Sequence, residues 1–291
     1  MLTQIRLRLR ALALLSAVFA LALLAACGDD DEDSGGGEAQ ALQITVADKG
    51  KGQSALEAPG TVEAGVVELT LRNNGERPHD AQLFRVAGNQ SAEQTIAAVG
   101  KLLQGQGGFP EWLTAAGGVG ATKPGQTGTV TQVLEPGTYY IGDIEGTSGP
   151  PDPKTVPRLV VTGDAADAEL PETEGTITAR DYRFESEGLQ TGENEVLFEN
   201  AGAQPHHIIA AQIKPGSTIE DVRTFVKTEQ GEPPIDEASS VVTAVLEGQT
   251  SQTVTLDLAK PGKYALLCFI SDREGGPPHA LLGMISEAEV E

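Results

Sequence analysis

Residues 198–206 of this 291-residue chain read Phe-Glu-Asn-Ala-Gly-Ala-Gln-Pro-His, and residues 71–79 read Leu-Arg-Asn-Asn-Gly-Glu-Arg-Pro-His. The two stretches share an Asn-x-Gly-x-x-Pro-His pattern. Three more segments recur in the same order at offsets of 123 to 126 residues. They are 91–94 with 217–220, 125–127 with 248–250, and 136–139 with 261–264. A fixed order at a nearly constant offset predicts one structural unit that is used twice.

Between these landmarks the chain has the composition of short strands. Segments rich in Val, Thr and Leu are interrupted by Gly, Pro and Asn at the spacing typical of β-sandwiches. They are residues 66–71, 129–134, 195–198 and 253–258. Capping boxes at Ser91 and Ser217 predict one short helix per unit, near residues 91–104 and 217–228. We therefore expect an all-β protein of two tandem Greek-key β-sandwiches, each with one short helix.

The repeat also sets the expected domain boundaries. The first domain is expected over residues 41–163 and the second over 175–291, which are ordinary domain sizes. Residues 164–174 are acidic and contain proline, and they form the predicted linker. The sequence leaves open whether the two sandwiches pack together or move on this linker.

The amino terminus has the pattern of an export signal. Three arginines precede an apolar run over residues 11–26, which ends in Leu-Ala-Ala before Cys27. This run is short for a membrane span and typical of a signal peptide, and its ending resembles the bacterial lipobox. We expect residues 1–26 to be removed and Cys27 to carry the lipid. An uncleaved anchor helix is the alternative.

The lipobox resemblance implies a protein held by its lipid at the extracytoplasmic face of the cell membrane. Two acyl chains suffice for stable anchoring. Residues 27–40 are acidic and rich in glycine, so we expect a flexible tether without structure.

The net charge of −22 makes nucleic acid a poor partner. Residues 170–291 hold 21 acidic and 8 basic residues, whereas residues 42–163 hold 12 and 9. The more acidic second unit can steer a cation or a basic protein toward itself, or the charge serves solubility alone.

Scarce metal-binding side chains are concentrated in the second unit. Cys268 is followed by His279 and by Met284, the only methionine besides the initiator. All four histidines lie in this motif or at the matching place of the first unit: His79, His206, His207 and His279. An unpaired thiol in an exported protein suggests a ligand or a reactive group. Thiolate, imidazole and thioether together favour copper, although each residue alone fits a core position.

The second unit resembles the cupredoxin, or blue copper, family over residues 173–290. The resemblance rests on the strand at 177–184, the Asn-x-Gly-x-x-Pro-His segment at 200–206, and the ordered Cys, His and Met of residues 264–284. It implies one bound copper ion. The implied ligands are His206, Cys268 and His279 in the trigonal plane and Met284 in the axial position.

Two features depart from the family. Ten residues separate Cys268 from His279, where the family has only a few. His207 stands where many members have an asparagine that braces the ligand loop. His207 is therefore an alternative ligand, or it points to the opposite face of the next strand.

The first unit is interpreted as a degenerate copy that lacks the metal. It keeps His79 but places Asp143 opposite Cys268 in the alignment. The alignment also pairs Lys154 with His279, and Leu159 with Met284. An ammonium group at a ligand position repels a cation. We therefore expect this unit to keep the fold without the metal.

The expected function is single-electron transfer to a redox partner in the cell envelope, without enzymatic activity of the chain alone. No phosphate-binding glycine loop, nucleophile triad or paired-carboxylate motif is evident, nor is a small-molecule substrate. One alternative is a copper carrier or buffer of the same fold, with a copper-transfer protein as partner. Another is an interaction module of the envelope that binds no metal.

Overall fold

The computed structural model describes residues 39–165 and 168–291. The predicted signal peptide, the lipidation at Cys27 and most of the tether lie outside the described residues. The first strand begins at Gln40, so the last residue of the segment expected to lack structure belongs to the sheet. In the described part of the chain, no helix has the length and apolar character that crossing a membrane requires.

The described residues form mainly β-strands, with two α-helices, which confirms the all-β prediction. The first half contains β1 (Gln40–Gly50), β2 (Gln53–Glu57), β3 (Thr61–Glu63), β4 (Gly65–Asn73), β5 (His79–Val86), α1 (Ala92–Leu103), β6 (Leu113–Thr122), β7 (Thr127–Leu134), β8 (Gly137–Gly142) and β9 (Arg158–Thr162). The second half contains β10 (Gly175–Arg180), β11 (Arg183–Glu187), β12 (Gly192–Asn200), β13 (Ile209–Gln212), α2 (Ile219–Thr228), β14 (Val241–Val242), β15 (Thr250–Leu258), β16 (Gly262–Leu267) and β17 (Ile285–Val290).

Each half is a sandwich of two sheets. In the first half, β2-β1-β4-β7 faces β3-β9-β8-β5-β6. In the second half, β11-β10-β12-β15 faces β14-β13-β16-β17. The opening strand of each half runs parallel to a later one, β1 beside β4 and β10 beside β12. The prediction of two tandem sandwiches is confirmed.

Alternating side chains explain why these segments form half-buried strands. In β4, Val67, Leu69 and Leu71 are fully buried, and Glu68 between them is exposed. Successive side chains of a strand point to opposite faces, so this pattern directs one face inward. Each such aliphatic side chain contributes about 1.5 to 3 kcal/mol by leaving water.

Each helix covers the outer face of a sheet. Ile96 and Val99 of α1 pack on β5, β6 and β8, and Val222 of α2 packs on β16. The capping box at Ser91 is confirmed. The box predicted at Ser217 is wrong by one residue, because Thr218 is the N-cap and Asp221 closes the box.

The two halves share one sheet. Strands β7 and β15 pair antiparallel, with Thr131 opposite Thr253, and this pairing joins the front sheets into one of eight strands. The side-chain amide of Gln82 in β5 also donates to the carbonyl of Val245 at 3.0 Å and accepts from its N–H at 2.6 Å. The sandwiches therefore pack together, which the sequence left open.

Candidate metal centre

The loop after β12 presents His206. Asn200 holds this loop by donating to the carbonyls of Gln204 and Leu246, at 2.8 and 3.0 Å. Gly202 is required because a Cβ there would lie 2.4 Å from Oδ1 of Asp181. The Asn-x-Gly-x-x-Pro-His pattern thus encodes a tight turn that brings His206 back to the sandwich.

Asp181, just after β10, organises the same loop. Its carboxylate accepts from the N–H groups of Ala203 and Gln204, at 2.9 and 3.3 Å, and lies 2.8 Å from Nε2 of His206. Burial opposes its ionisation, but these hydrogen bonds outweigh that effect and hold its pKa below the usual value. The bond fixes the proton of His206 on Nε2 and leaves its Nδ1 lone pair free.

Cys268 follows the last residue of β16 and is fully buried. The N–H groups of His207 and Ile270 bond to its sulfur. Burial raises the pKa of the thiol to about 12, which these two bonds only partly offset. A cation beside the sulfur would stabilise the thiolate that burial otherwise disfavours.

His279 begins a short 3₁₀ helix that ends at Leu282. Its amide donates to the carbonyl of Ile270 at 2.9 Å, which returns the long loop to the site. Its Nε2 lies 3.0 Å from Oδ1 of Asp272. Burial and the neighbouring His206 lower the pKa of His279 to about 4, so the ring is neutral at pH 7. Burial also lowers the pKa of His206.

Three donor atoms converge. The sulfur of Cys268 lies 3.7 Å from Nδ1 of His206 and 3.5 Å from Nδ1 of His279, and the two nitrogens are 3.0 Å apart. These separations leave a point in the plane of the donors about 2 Å from each, the length of a metal–imidazole bond. Two facing lone pairs repel unless a cation lies between them, so the residues fit a metal ion.

Met284 and His207 are the other two candidate ligands. Met284 is fully buried in the same apolar cluster as Cys268, and its amide bonds to the carbonyl of His279 at 2.9 Å. Its axial role stays a prediction. His207 lies outside the group of three donors, because its Nε2 accepts from the N–H of Phe269 at 3.0 Å. It braces the chain beside the cysteine, as an asparagine would.

The matching place of the first half holds a different polar group. Nδ1 of His79 lies 2.6 Å from Oδ2 of Asp143, and both residues are fully buried. Asp48 occupies the place of Asp181, with an oxygen 3.5 Å from Nε2 of His79. Among the described residues, the only cluster able to hold a metal is that of the second half.

One element of the alignment is wrong. Tyr139 pairs with Leu159 across β8 and β9, whereas Tyr264 pairs with Ala288 across β16 and β17. Since the two tyrosines are equivalent, Leu159 corresponds to Ala288 and not to Met284. The segments before these last strands differ in length, so an ungapped count misplaces the residue.

The sequence did not predict the carboxylates that hold the histidines. Asp181 and Asp272 are two of 42 acidic residues. Asp181 lies far from His206 in the sequence, and Asp272 lies within the loop between Cys268 and His279. One signal was available, because an aspartate lies near the end of the opening strand in both units, at Asp48 and Asp181. Tyr182 was also missed, although its hydroxyl donates to Asp272 at 3.0 Å and its ring meets that of His279 edge-on at 5.1 Å.

No family model and no curated protein matches the sequence. Among solved structures, the chain is similar to reduced auracyanin from the photosynthetic bacterium Roseiflexus castenholzii, at 21% identity over 40% of this chain and 94% of that one, with a TM-score of 0.27. It is also similar to a copper nitrite reductase and a blue copper oxidase from Nitrosomonas europaea. The nitrite reductase is 15% identical over 87% of this chain and 94% of that one, with a TM-score of 0.23. The oxidase is 14% identical over 87% of this chain and 86% of that one, with a TM-score of 0.21.

Proposed function

We propose that the second half binds one copper ion through His206, Cys268 and His279, with Met284 as a fourth ligand, and serves in single-electron transfer. The observation that carries the proposal is the convergence of one sulfur and two imidazole nitrogens within 3.7 Å of one another. Copper supplies a one-electron couple at such a site, and this donor set is the one that suits both of its oxidation states.

The surroundings of the donors favour an electron carrier over a copper carrier. All three donor residues are fully buried. Cys268 directly follows β16, His279 begins a 3₁₀ helix, and hydrogen bonds of Asn200 and Asp181 hold the loop of His206. A buried, rigid donor set retains its ion and changes little when an electron arrives. A carrier that hands over its ion needs a ligand that a partner protein can reach.

The proposed setting is the extracytoplasmic face of the cell membrane, with a lipid on Cys27 as anchor and a redox protein of the envelope as partner. The lipobox pattern and the acidic second unit support this setting. We propose an electron carrier without enzymatic activity of its own.

The test is copper binding by the purified chain, compared with a Cys268→Ser variant that keeps Cys27. One equivalent of Cu(II) is expected to give an intense thiolate-to-copper absorption band in the wild type and none in the variant. The band should disappear on reduction and return on oxidation with the copper retained. Loss of copper on reduction would favour the copper carrier. Identical behaviour of both proteins would favour an interaction module, and stronger retention of zinc than copper would contradict the proposal.

A further inference from the structure

Both histidines of the donor group are backed by a carboxylate. Nε2 of His206 lies 2.8 Å from Asp181, and Nε2 of His279 lies 3.0 Å from Asp272. The histidine side chains have no solvent exposure, whereas the aspartate side chains are 27% and 28% exposed. Solvent and any partner therefore meet the carboxylates before the imidazoles.

Each carboxylate is fixed independently of the histidine it contacts. Asp181 accepts from two backbone amides of the His206 loop. Asp272 accepts from the hydroxyl of Tyr182, which lies 3.0 and 3.1 Å from its two oxygens. Fixed partners of this kind hold a ligand ring in one orientation.

The nearest arginines in the chain do not neutralise these charges. Arg180 precedes Asp181 but pairs with Glu185, and Arg273 follows Asp272 but pairs with Glu247. The two carboxylates therefore add net negative charge beside the donors.

We propose that Asp181 and Asp272 are positioning residues that bias bound copper toward Cu(II) and so lower the reduction potential of the site. The inference rests on the proposed function. A carboxylate that accepts from Nε2 raises the basicity of the coordinating nitrogen. Two negative charges near a buried centre also favour the ion of higher charge.

The redox step involves one electron and no bond between protein atoms. A reduced partner protein supplies the electron that converts Cu(II) to Cu(I), and an oxidised partner accepts it in the reverse step. With a thiolate and two carboxylates, the centre is already negative before reduction. Adding an electron to it is correspondingly less favourable.

The experiment compares Asp181→Asn, Asp272→Asn and the double variant with wild type in the full chain. Asparagine keeps the shape and one acceptor oxygen but removes the charge. Asp257→Asn is the matched control, because Asp257 is exposed at the end of β15 farthest from the site. Cu(II) and Cu(I) affinities are measured separately by chelator competition, together with a redox titration and thermal unfolding of the copper-free proteins.

Each single variant is expected to weaken Cu(II) binding roughly 10- to 100-fold. Cu(I) binding should weaken less, so the potential rises, while Asp257→Asn changes neither. Equal losses of Cu(II) and Cu(I) affinity would overturn the inference, since a purely structural role leaves the potential unchanged. Unchanged affinities would also overturn it. Failure of the wild type to bind copper would overturn the proposed function as well, and this control separates the two failures.

Discussion

Asp143 holds in the first half the position that Cys268 holds in the second, and it faces His79 as the thiol faces its histidine. Burial opposes its ionisation, but bonds from His79, Asp80 and Ser54 outweigh that effect and lower its pKa to about 2. An ionised carboxylate only accepts, so Nδ1 of His79 carries the proton of their bond. A hydrogen bond therefore joins His79 to Asp143 at the position that corresponds to the candidate metal centre of the second half.

The Asp143 charge is expected to stabilise the fold in a defined pH window. Its folded pKa of about 2 lies below the ordinary aspartate value of 3.8. Its contribution of about 2 kcal/mol is therefore present above pH 4 and is lost as the pH falls toward 2. Asp143→Asn should lower the free energy of unfolding at pH 7 by at least this amount, and the difference from wild type should shrink in acid. Urea unfolding from pH 2 to 7 measures it, with Asp257→Asn as the control; a difference independent of pH would contradict the prediction.

Scarce residue types are what mark the candidate site in the sequence. One free thiol, one late methionine and four histidines single out His206, Cys268 and His279, which the structure brings together. Asp181 and Asp272 carry no such signal, because acidic residues are abundant and their role depends on which loop folds against which ring. That information is held in the tertiary structure and not in local sequence.

At the scale of elements, the long loop between Cys268 and His279, which we call the arm, contacts the first half. The N–H of Phe109 donates to the carbonyl of Arg273 at 2.6 Å, and the guanidinium of Arg273 donates to the carbonyl of Leu113 at 3.0 Å. The same guanidinium pairs with Glu247 and lies 5.6 Å from the centre of the Phe109 ring. The extra residues that set this chain apart from the family therefore form a contact between the halves, beside Asp272.

Arg273→Ala should loosen this arm. The substitution leaves a partly buried Glu247 unpaired, so we expect the free energy of unfolding to fall by about 2 kcal/mol. Copper should also dissociate faster, because the loop that carries Asp272 loses the contacts of Arg273 with Glu247 and Leu113. Arg158→Ala removes an exposed arginine of β9 and should stay within about 0.5 kcal/mol of wild type. Denaturant unfolding and copper transfer to a chelator measure both effects; the same small effect for both variants would refute the docking role.

The start of α2 tests the corrected register of the capping box. The hydroxyl of Thr218 accepts from the N–H of Asp221, and the carboxylate of Asp221 accepts from the N–H of Thr218. Ser217 lies outside this capping box. Thr218→Ala should therefore cost about 1 kcal/mol of stability. Ser217→Ala should have little effect. Thermal unfolding of the two variants decides the register, and a larger loss for Ser217→Ala would restore the position first predicted from sequence.

At the scale of the whole molecule, the fold of each half was predictable and the junction between them was not. Repeated turns and alternating strands reveal two similar sandwiches, because these signals are local. The pairing of β7 with β15 joins edge strands more than 100 residues apart, Thr131 opposite Thr253. Nothing in the pattern of either strand marks it as the partner of the other.

Since the halves share an eight-stranded sheet, the copper-free chain is expected to unfold in one transition. Trp112, the only tryptophan, reports on the first half by fluorescence, and alkylation of the buried Cys268 reports on the second, with Cys268→Ser as the background. Both probes should give the same midpoint of unfolding in urea. Gln82→Ala, made in the first half, leaves the N–H of Val245 without its partner and should shift both midpoints equally. The exposed Gln43→Ala should shift neither, and an unmoved Cys268 midpoint in Gln82→Ala would show that the halves unfold independently.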